Sequence, residues 1–119
     1  MPNNIIIVIA ILCLGAATQT IADTQQEIAH LLNFVANTTC QYERNGTMHD
    51  GVEAQKHIKK KYHYYLDKIN SAEDFIKYSV TKSTMSGKKY FIHCTNSPVQ
   101  QSSDWLLHEL NIYRANQSN

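Results

Sequence analysis

The chain has 119 residues, and its 11 lysines and arginines nearly balance its 10 aspartates and glutamates, giving a formal net charge of +1. A chain with so little net charge has no overall electrostatic attraction to nucleic acid or to an anionic membrane surface. Once the apolar N-terminal segment is set aside, residues 23–119 are enough for a single small globular domain with one modest core.

The N-terminal segment has the pattern of a secretory signal peptide, residues 1–22. Residues 5–17 contain no charged side chain, and small and polar residues follow as far as Ala22. Such a run is shorter than the roughly 20 apolar residues of a membrane span. We expect cleavage after Ala22, with Ala17 as the alternative, while the lack of Lys and Arg in residues 1–4 leaves an uncleaved anchor open. The pattern predicts a periplasmic or secreted protein whose mature chain has no transmembrane segment.

The first predicted elements are a helix, a short strand and a second helix. Apolar residues spaced three and four apart predict a helix over residues 23–37, and a strand is predicted over residues 40–44. The Asn45-Gly46 dipeptide predicts a turn that leads from this strand into a helix over residues 50–68. The predicted core face of that helix consists of Ala54, Ile58, Tyr62, Tyr65, Leu66 and Ile69.

The second half of the chain is predicted to contain two helices and one more strand. The first of these helices has Ser71 as its N-cap and ends near Lys82. Its predicted inner face consists of Ala72, Phe75, Ile76 and Ser79. Aromatic and β-branched residues predict a strand over residues 90–94, and the last helix begins at Ser102 or Ser103.

Cleavage would leave two cysteines, Cys40 and Cys94, at the outer ends of the two predicted strands. An even number of cysteines in a small exported domain favours a disulfide bond, with two buried free thiols as the alternative. In an antiparallel pairing the facing residues would be Cys40 with Cys94, Tyr42 with Ile92, and Arg44 with Tyr90. The predicted fold is therefore a mainly helical α+β domain of about four helices, with a two-stranded antiparallel ribbon and one disulfide.

Several short motifs resemble those of the YfeK-like family, a group of small exported bacterial proteins of unknown function. They are YERNGTMH at residues 42–49, EA at residues 53–54, HI at residues 57–58, SAEDFI at residues 71–76 and SGKKY at residues 86–90. The resemblance extends from about residue 27 to residue 110. Lys89 departs from the family pattern, in which a proline is typical at this position. The resemblance implies a periplasmic or secreted location and implies no activity.

Polar residues at the start of the second predicted helix form a candidate ligand-binding site. His49, Glu53 and His57 recur every four residues, but the two histidines lie about 12 Å apart along a helix axis, too far for one ion to bind both. We therefore expect no metal and no cofactor. One interpretation is a structural ion pair between Arg44 and Glu53. The other is an anion site that also uses Asn45 and His57.

The last predicted helix has two apolar stripes. One stripe consists of Leu106, Leu110 and Tyr113, and the other consists of Trp105, His108 and Ile112. A helix of a small domain usually buries one stripe, so the second is a candidate partner interface. The alternative is that this helix is covered on both sides within the domain.

These features predict a non-enzymatic exported interaction or binding module with an unknown protein or envelope partner and no role in nucleic-acid binding. No catalytic residue is assigned. The alternative function is a small hydrolase or an anion- or ligand-binding protein that uses Arg44, His49, Glu53 and His57. A concave pocket in which these polar groups converge favours the alternative, whereas an exposed apolar patch favours an interaction protein.

Overall fold

The computed structural model describes residues 20–117, with the side chain of residue 22 left out. The predicted signal peptide lies almost wholly outside these residues. The elements are α1 (Ile21–Ala36), β1 (Gln41–Arg44), β2 (Thr47–His49), α2 (Gly51–Tyr64), α3 (Ala72–Ser79), β3 (Phe91–His93), β4 (Gln100–Gln101) and α4 (Ser102–Gln117). Within the described residues, the predicted fold class is confirmed: four helices, an antiparallel sheet and a disulfide form a mainly helical α+β domain.

Side-chain caps set the first residues of three helices. Thr20, Asp50 and Ser71 each accept a hydrogen bond from the backbone N–H three residues later, at 3.1, 2.9 and 3.0 Å. Such caps satisfy backbone donors that have no partner within the helix. The predicted N-cap at Ser71 is confirmed. The cap at Thr20 makes α1 begin two residues before its predicted start, so the favoured cleavage point after Ala22 falls inside this helix.

The sheet has the strand order β2-β1-β3-β4, and every neighbouring pair is antiparallel. Its central pair, β1 and β3, is the predicted ribbon, and Tyr42 faces Ile92 as the proposed register requires. The predicted Cys40–Cys94 disulfide is present at the end of this pair, with the two Cα atoms 4.4 Å apart. Tyr42 and Ile92 are buried on the inner face of the sheet, which the helices cover, whereas Glu43 on the outer face is half-buried.

The Asn45-Gly46 turn does not lead directly into a helix, and this expectation is wrong. Asn45 has a φ angle of 51° and Gly46 one of 79°. Positive φ angles at both central residues are typical of the tight type I′ turn that joins two antiparallel strands. The chain therefore folds back as β2, which places His49 opposite Tyr42 before α2 begins. Together with β4, this strand extends the predicted ribbon to four strands.

Helix α2 ends at Tyr64, four residues before the predicted end, and a 3₁₀ turn over Leu66–Lys68 follows. This change of helix type moves Leu66 out of the predicted core face, and its side chain is exposed. Lys61 takes a position in the core face instead and is 8% exposed. Ala54 and Ile58 are buried as predicted, whereas the tyrosines and isoleucine of the predicted face are only half-buried.

Helix α3 buries all four residues of its predicted inner face, although it ends at Ser79 rather than near Lys82. At its first turn Glu73 contacts Arg114 of α4, which also pairs with Glu27 of α1. The Arg114 guanidinium lies 2.6 Å from a Glu27 carboxylate oxygen and 2.7 Å from one of Glu73. The hydrogen bond from Arg114 lowers the pKa of Glu73. One arginine thus joins three helices.

Close backbone contact fixes the start of α2 against the end of α1. Gly51, the first residue of α2, is buried, and a Cβ atom there would lie 2.3 Å from the carbonyl oxygen of Val35. Only glycine permits this approach without a shift of the backbone. The contact sets the position of the α2 side chains that face the sheet. No helix among residues 20–117 combines the length and apolar character needed to cross a membrane.

Candidate functional site

A cleft lies between helix α2 and the inner face of the sheet, and it consists of two adjacent cavities. The first, here named the Glu53 cavity, measures about 290 Å³, and its lining includes Arg44, His49, Glu53, Lys56, His57 and Lys60. The second, here named the Lys61 cavity, measures about 240 Å³, and its lining includes Arg44, Asn45, His57, Lys61, Ser83 and Tyr90. The structure therefore brings all five predicted ligand-binding candidates to one cleft, and Arg44 and His57 line both parts of it.

Arg44 does not form the predicted ion pair with Glu53. No salt bridge or hydrogen bond joins its side chain to any residue in the 20–117 range. Glu53 instead contacts His49, whose Nδ1 lies 2.9 Å from a carboxylate oxygen. His49 is the last residue of β2, and its side chain contacts Glu53 in the first turn of α2. Arg44, on β1, is left as a half-buried cation at the junction of the two cavities.

Lys61 is held at the base of its cavity by two hydrogen bonds. Its ammonium group donates to the carbonyl oxygen of Lys82 and to the Tyr90 hydroxyl, the latter at 3.4 Å. The same nitrogen lies 4.9 Å from the centre of the Tyr90 ring. An ammonium group has three N–H donors, so one remains for an acceptor in the cavity.

His57 continues this chain of hydrogen bonds. Its Nε2 lies 3.2 Å from the Tyr90 hydroxyl oxygen. That hydroxyl accepts from Lys61, so its own proton can be donated to the imidazole. A neutral imidazole that accepts at Nε2 carries its proton on Nδ1. His57 is therefore an additional donor at the cleft.

The pKa values of these groups show that positive charge is concentrated here. Burial, and then the charges of Arg44 and Lys61, lower the pKa of His57 to about 4. Burial, and then the Arg44 charge, lower the pKa of Lys61 to about 8. Burial also raises the pKa of Tyr90. At pH 7 the Lys61 cavity therefore holds a neutral histidine and a neutral tyrosine beside Lys61 and Arg44, its two positively charged side chains.

A loop over residues 83–87 forms the far wall of the Lys61 cavity and is attached to the β1–β2 turn. Ser86 donates a hydrogen bond of 2.6 Å to the side-chain oxygen of Asn45. Ser83, which is buried, accepts from the Ser86 backbone N–H at 3.2 Å. Asn45 thus has two roles: its backbone forms the β1–β2 turn, and its side chain holds this wall in place beside Arg44.

Sequence reasoning missed Lys61, Ser83 and Tyr90 as parts of the site. Lys61 ends a run of three lysines, residues 59–61, a pattern that on sequence alone is typical of a solvated helix surface. The signal for burial was present, because Lys61 follows Ala54 by seven residues and Ile58 by three, the spacing of one helix face. Tyr90 had been placed opposite Arg44 in the predicted register, and both residues line the Lys61 cavity.

The structure separates the three residues of the predicted interface. Trp105 is 9% exposed and packs against Phe34 of α1, with the ring centres 4.8 Å apart. It is therefore part of the core and is not an exposed anchor, because α1 covers this side of α4. His108 and Ile112 are exposed. The domain therefore covers the second stripe at Trp105, as the alternative expects, and leaves the rest of that stripe exposed.

The described residues hold no group of three or more His, Cys, Asp or Glu side chains placed to bind a metal ion. In the cleft, Glu53 and His49 contact each other, and the other lining groups are mainly hydrogen-bond donors. The geometry suits an anion better than a cation.

Comparison with protein families gives a match over residues 22–114 to a family of unknown function, DUF5329. The chain belongs to this family. The match covers α1, the whole cleft and most of α4, so the site described above lies within the family domain. Neither the curated proteins nor the solved structures include a match to this chain.

Proposed function

We propose that this member of DUF5329 is a non-enzymatic binding module that holds an anionic ligand in the cleft between α2 and the sheet. The observation that carries the proposal is Arg44. Its half-buried guanidinium lines both cavities and, within residues 20–117, has no carboxylate partner. Buried charges in proteins are normally paired, because an unpaired charge is costly to remove from water. A ligand anion would supply the missing partner.

The lowered pKa of Lys61 supports the same conclusion. Burial is the larger cause of this shift and the Arg44 charge adds to it, so two positive charges are held near each other in a partly desolvated site. An anion bound in the Lys61 cavity would relieve this repulsion. Binding would then be stabilised both by new hydrogen bonds and by the removal of an unfavourable interaction present in the free protein.

A hydrolase is supported less well by the geometry. A general base works best when its pKa lies near the working pH, and the pKa of His57 is about 4. The buried hydroxyl at the cleft, that of Ser83, already contacts the Ser86 backbone and the Asn45 amide. Lys61, with a pKa of about 8, already donates hydrogen bonds to the Lys82 carbonyl and the Tyr90 hydroxyl. This leaves binding as the better-supported function.

Export to the periplasm or the outside is part of the proposal. The apolar run in residues 5–17 and the resemblance to YfeK-like bacterial proteins support it at the level of sequence. The Cys40–Cys94 disulfide is consistent with an oxidising compartment. The proposed ligand would therefore be one that is present in the bacterial envelope or in the medium.

Replacement of Arg44 by Met tests the proposed function. With inorganic sulfate as the probe, we expect the dissociation constant to rise about 10- to 100-fold, since a charge-assisted hydrogen bond contributes about 1.5–3 kcal/mol. Isothermal titration calorimetry provides the measurement. The matched control is Lys59→Met, which removes the same charge from an exposed α2 residue outside both cavities. Equal losses in the two variants, or no sulfate binding by the unmodified protein, would contradict the proposal.

The affinity for sulfate should also depend on pH. Sulfate does not titrate above pH 6. Burial lowers the pKa of His57 to about 4 and raises the pKa of Tyr90, so neither group changes charge between pH 7 and 9. Lys61, with a pKa of about 8, loses its charge in this window. A bound anion favours the charged form of Lys61, so affinity should fall as pH rises through about 8. Calorimetry on the protein and on Lys61→Met checks this, and a fall of equal size in that variant would show that Lys61 is not responsible.

A further inference from the structure

We propose that the anionic group recognised by the cleft is a phosphate monoester, seated in the Lys61 cavity. This inference rests on the proposed function and adds the chemical class of the ligand. Its basis is the contrast between the two cavities. The Glu53 cavity contains a carboxylate, whereas the Lys61 cavity is lined by hydrogen-bond donors and by no carboxylate. An anionic group is therefore expected in the Lys61 cavity.

The donors of the Lys61 cavity come from several parts of the fold. Arg44 and Asn45 belong to β1 and its turn, Lys61 to α2, and Ser83 to the loop that closes the cavity. A planar carboxylate has two oxygens in one plane, and a single guanidinium can satisfy both of them. A tetrahedral phosphate monoester presents three terminal oxygens in different directions. Donors arranged on several walls suit the tetrahedral group better.

Charge gives a second, independent argument. Arg44 and Lys61 are both positively charged at pH 7, and both line this cavity. A carboxylate carries one negative charge and would leave one of the two cations without compensation. A phosphate monoester carries about 1.5 to 2 negative charges at pH 7, since its second pKa is about 6. It would therefore neutralise both cations.

The rim of the cavity indicates a phosphate attached to an organic group. Met85 lines the Lys61 cavity, and its side chain is 98% exposed. A thioether side chain adapts readily to apolar surfaces of different shapes. The single organic substituent of a phosphate monoester could cover Met85 while its phosphate oxygens contact the donors below. The Glu53 carboxylate, in the adjacent cavity, disfavours a second anionic group on that substituent.

The test compares phenyl phosphate with benzoate, two soluble probes with the same ring and different anionic groups. We expect the unmodified protein to bind phenyl phosphate at least tenfold more tightly at pH 7, as measured by calorimetry. We expect Lys61→Met to remove most of this preference, while Lys59→Met keeps it. The preference of the unmodified protein needs no variant, so the inference stays testable even if Lys61→Met fails to fold.

A further arm uses vesicles that contain phosphatidic acid, compared with vesicles of phosphatidylcholine alone. Binding that is lost in Lys61→Met supports the inference with either probe. Binding of phenyl phosphate alone indicates a soluble ligand, whereas binding of phosphatidic acid vesicles indicates a phosphate attached to lipid. Equal, Arg44-dependent binding of benzoate and phenyl phosphate overturns the inference and leaves the proposed function intact. Binding of no anion at all overturns both.

Discussion

Replacement of Arg114 by Met is expected to lower the free energy of unfolding by about 2 kcal/mol, less than breaking a fully buried ion pair costs, because the Arg114 side chain is 35% exposed. The reason is Glu27, whose side chain is 8% exposed and accepts hydrogen bonds of 2.6 and 3.0 Å from Arg114. Without the guanidinium, its carboxylate would lose a charged partner in a site largely closed to water. Urea unfolding followed by circular dichroism gives the free energy.

Two further variants separate the buried contact from the exposed one. Glu73 also pairs with Arg114, but its side chain is 51% exposed, so Glu73→Gln should cost less than about 1 kcal/mol. The double replacement of Glu27 and Arg114 by Met removes the buried carboxylate together with its partner and should recover much of the stability lost in Arg114→Met. The double variant should lose less stability than Glu27→Met and Arg114→Met lose when their separate losses are added. A larger loss than that sum would show that this explanation is wrong.

Removal of the disulfide is expected to have the largest effect on stability. The two cysteines are 54 residues apart in sequence. The chain-entropy treatment gives roughly 4 kcal/mol for a loop of this length. We therefore expect the double variant Cys40→Ala, Cys94→Ala to lose about that much in urea unfolding. It should also bind sulfate more weakly, because the disulfide holds β1 and β3 together beside the cleft.

Mass spectrometry provides the control for this comparison. The mature protein, residues 23–119, contains only Cys40 and Cys94 and should gain no mass from alkylation unless it is first reduced. The reduced, alkylated protein should be destabilised by a similar amount. Alkylation of two thiols without reductant would show that the bond is absent from the purified protein. A loss below 1 kcal/mol in the double variant would show that loop closure contributes little here.

Periodic burial made much of the fold predictable from the sequence. The inner face of α3 follows from one apolar stripe, and the cysteines together with strand alternation were sufficient for the register of Tyr42 opposite Ile92. The errors arose where local geometry decides the outcome. Asn45-Gly46 forms a turn whether a helix or a strand follows it. Only pairing with β1 shows that the next three residues form a strand. The end of α2 likewise depends on the 3₁₀ turn that follows it.

The sequence predicted several of the residues that line the cleft, but it did not predict which of their side chains contact each other. Arg44, Asn45, His49, Glu53 and His57 were identified as candidates because polar residues cluster near a predicted helix start, and all of them line the cleft. Their partners depend on side-chain directions that spacing does not determine. The contact between His49 and Glu53 required β2, which the sequence did not reveal. The burial of Lys61 and Tyr90, which were not among these candidates, depends on how α2 packs against the sheet.

The position of the disulfide gives the cleft a particular topology. Every side chain that lines the two cavities belongs to the stretch between Cys40 and Cys94, while α1 and α4 lie outside it. That stretch is a covalently closed ring. A protease that cuts once in the exposed loop near Met85 would hydrolyse one peptide bond, and the disulfide would keep the two fragments joined. The nicked protein would stay one molecule and part into two chains only on reduction, so the binding site could survive a cut that opens an ordinary linear domain.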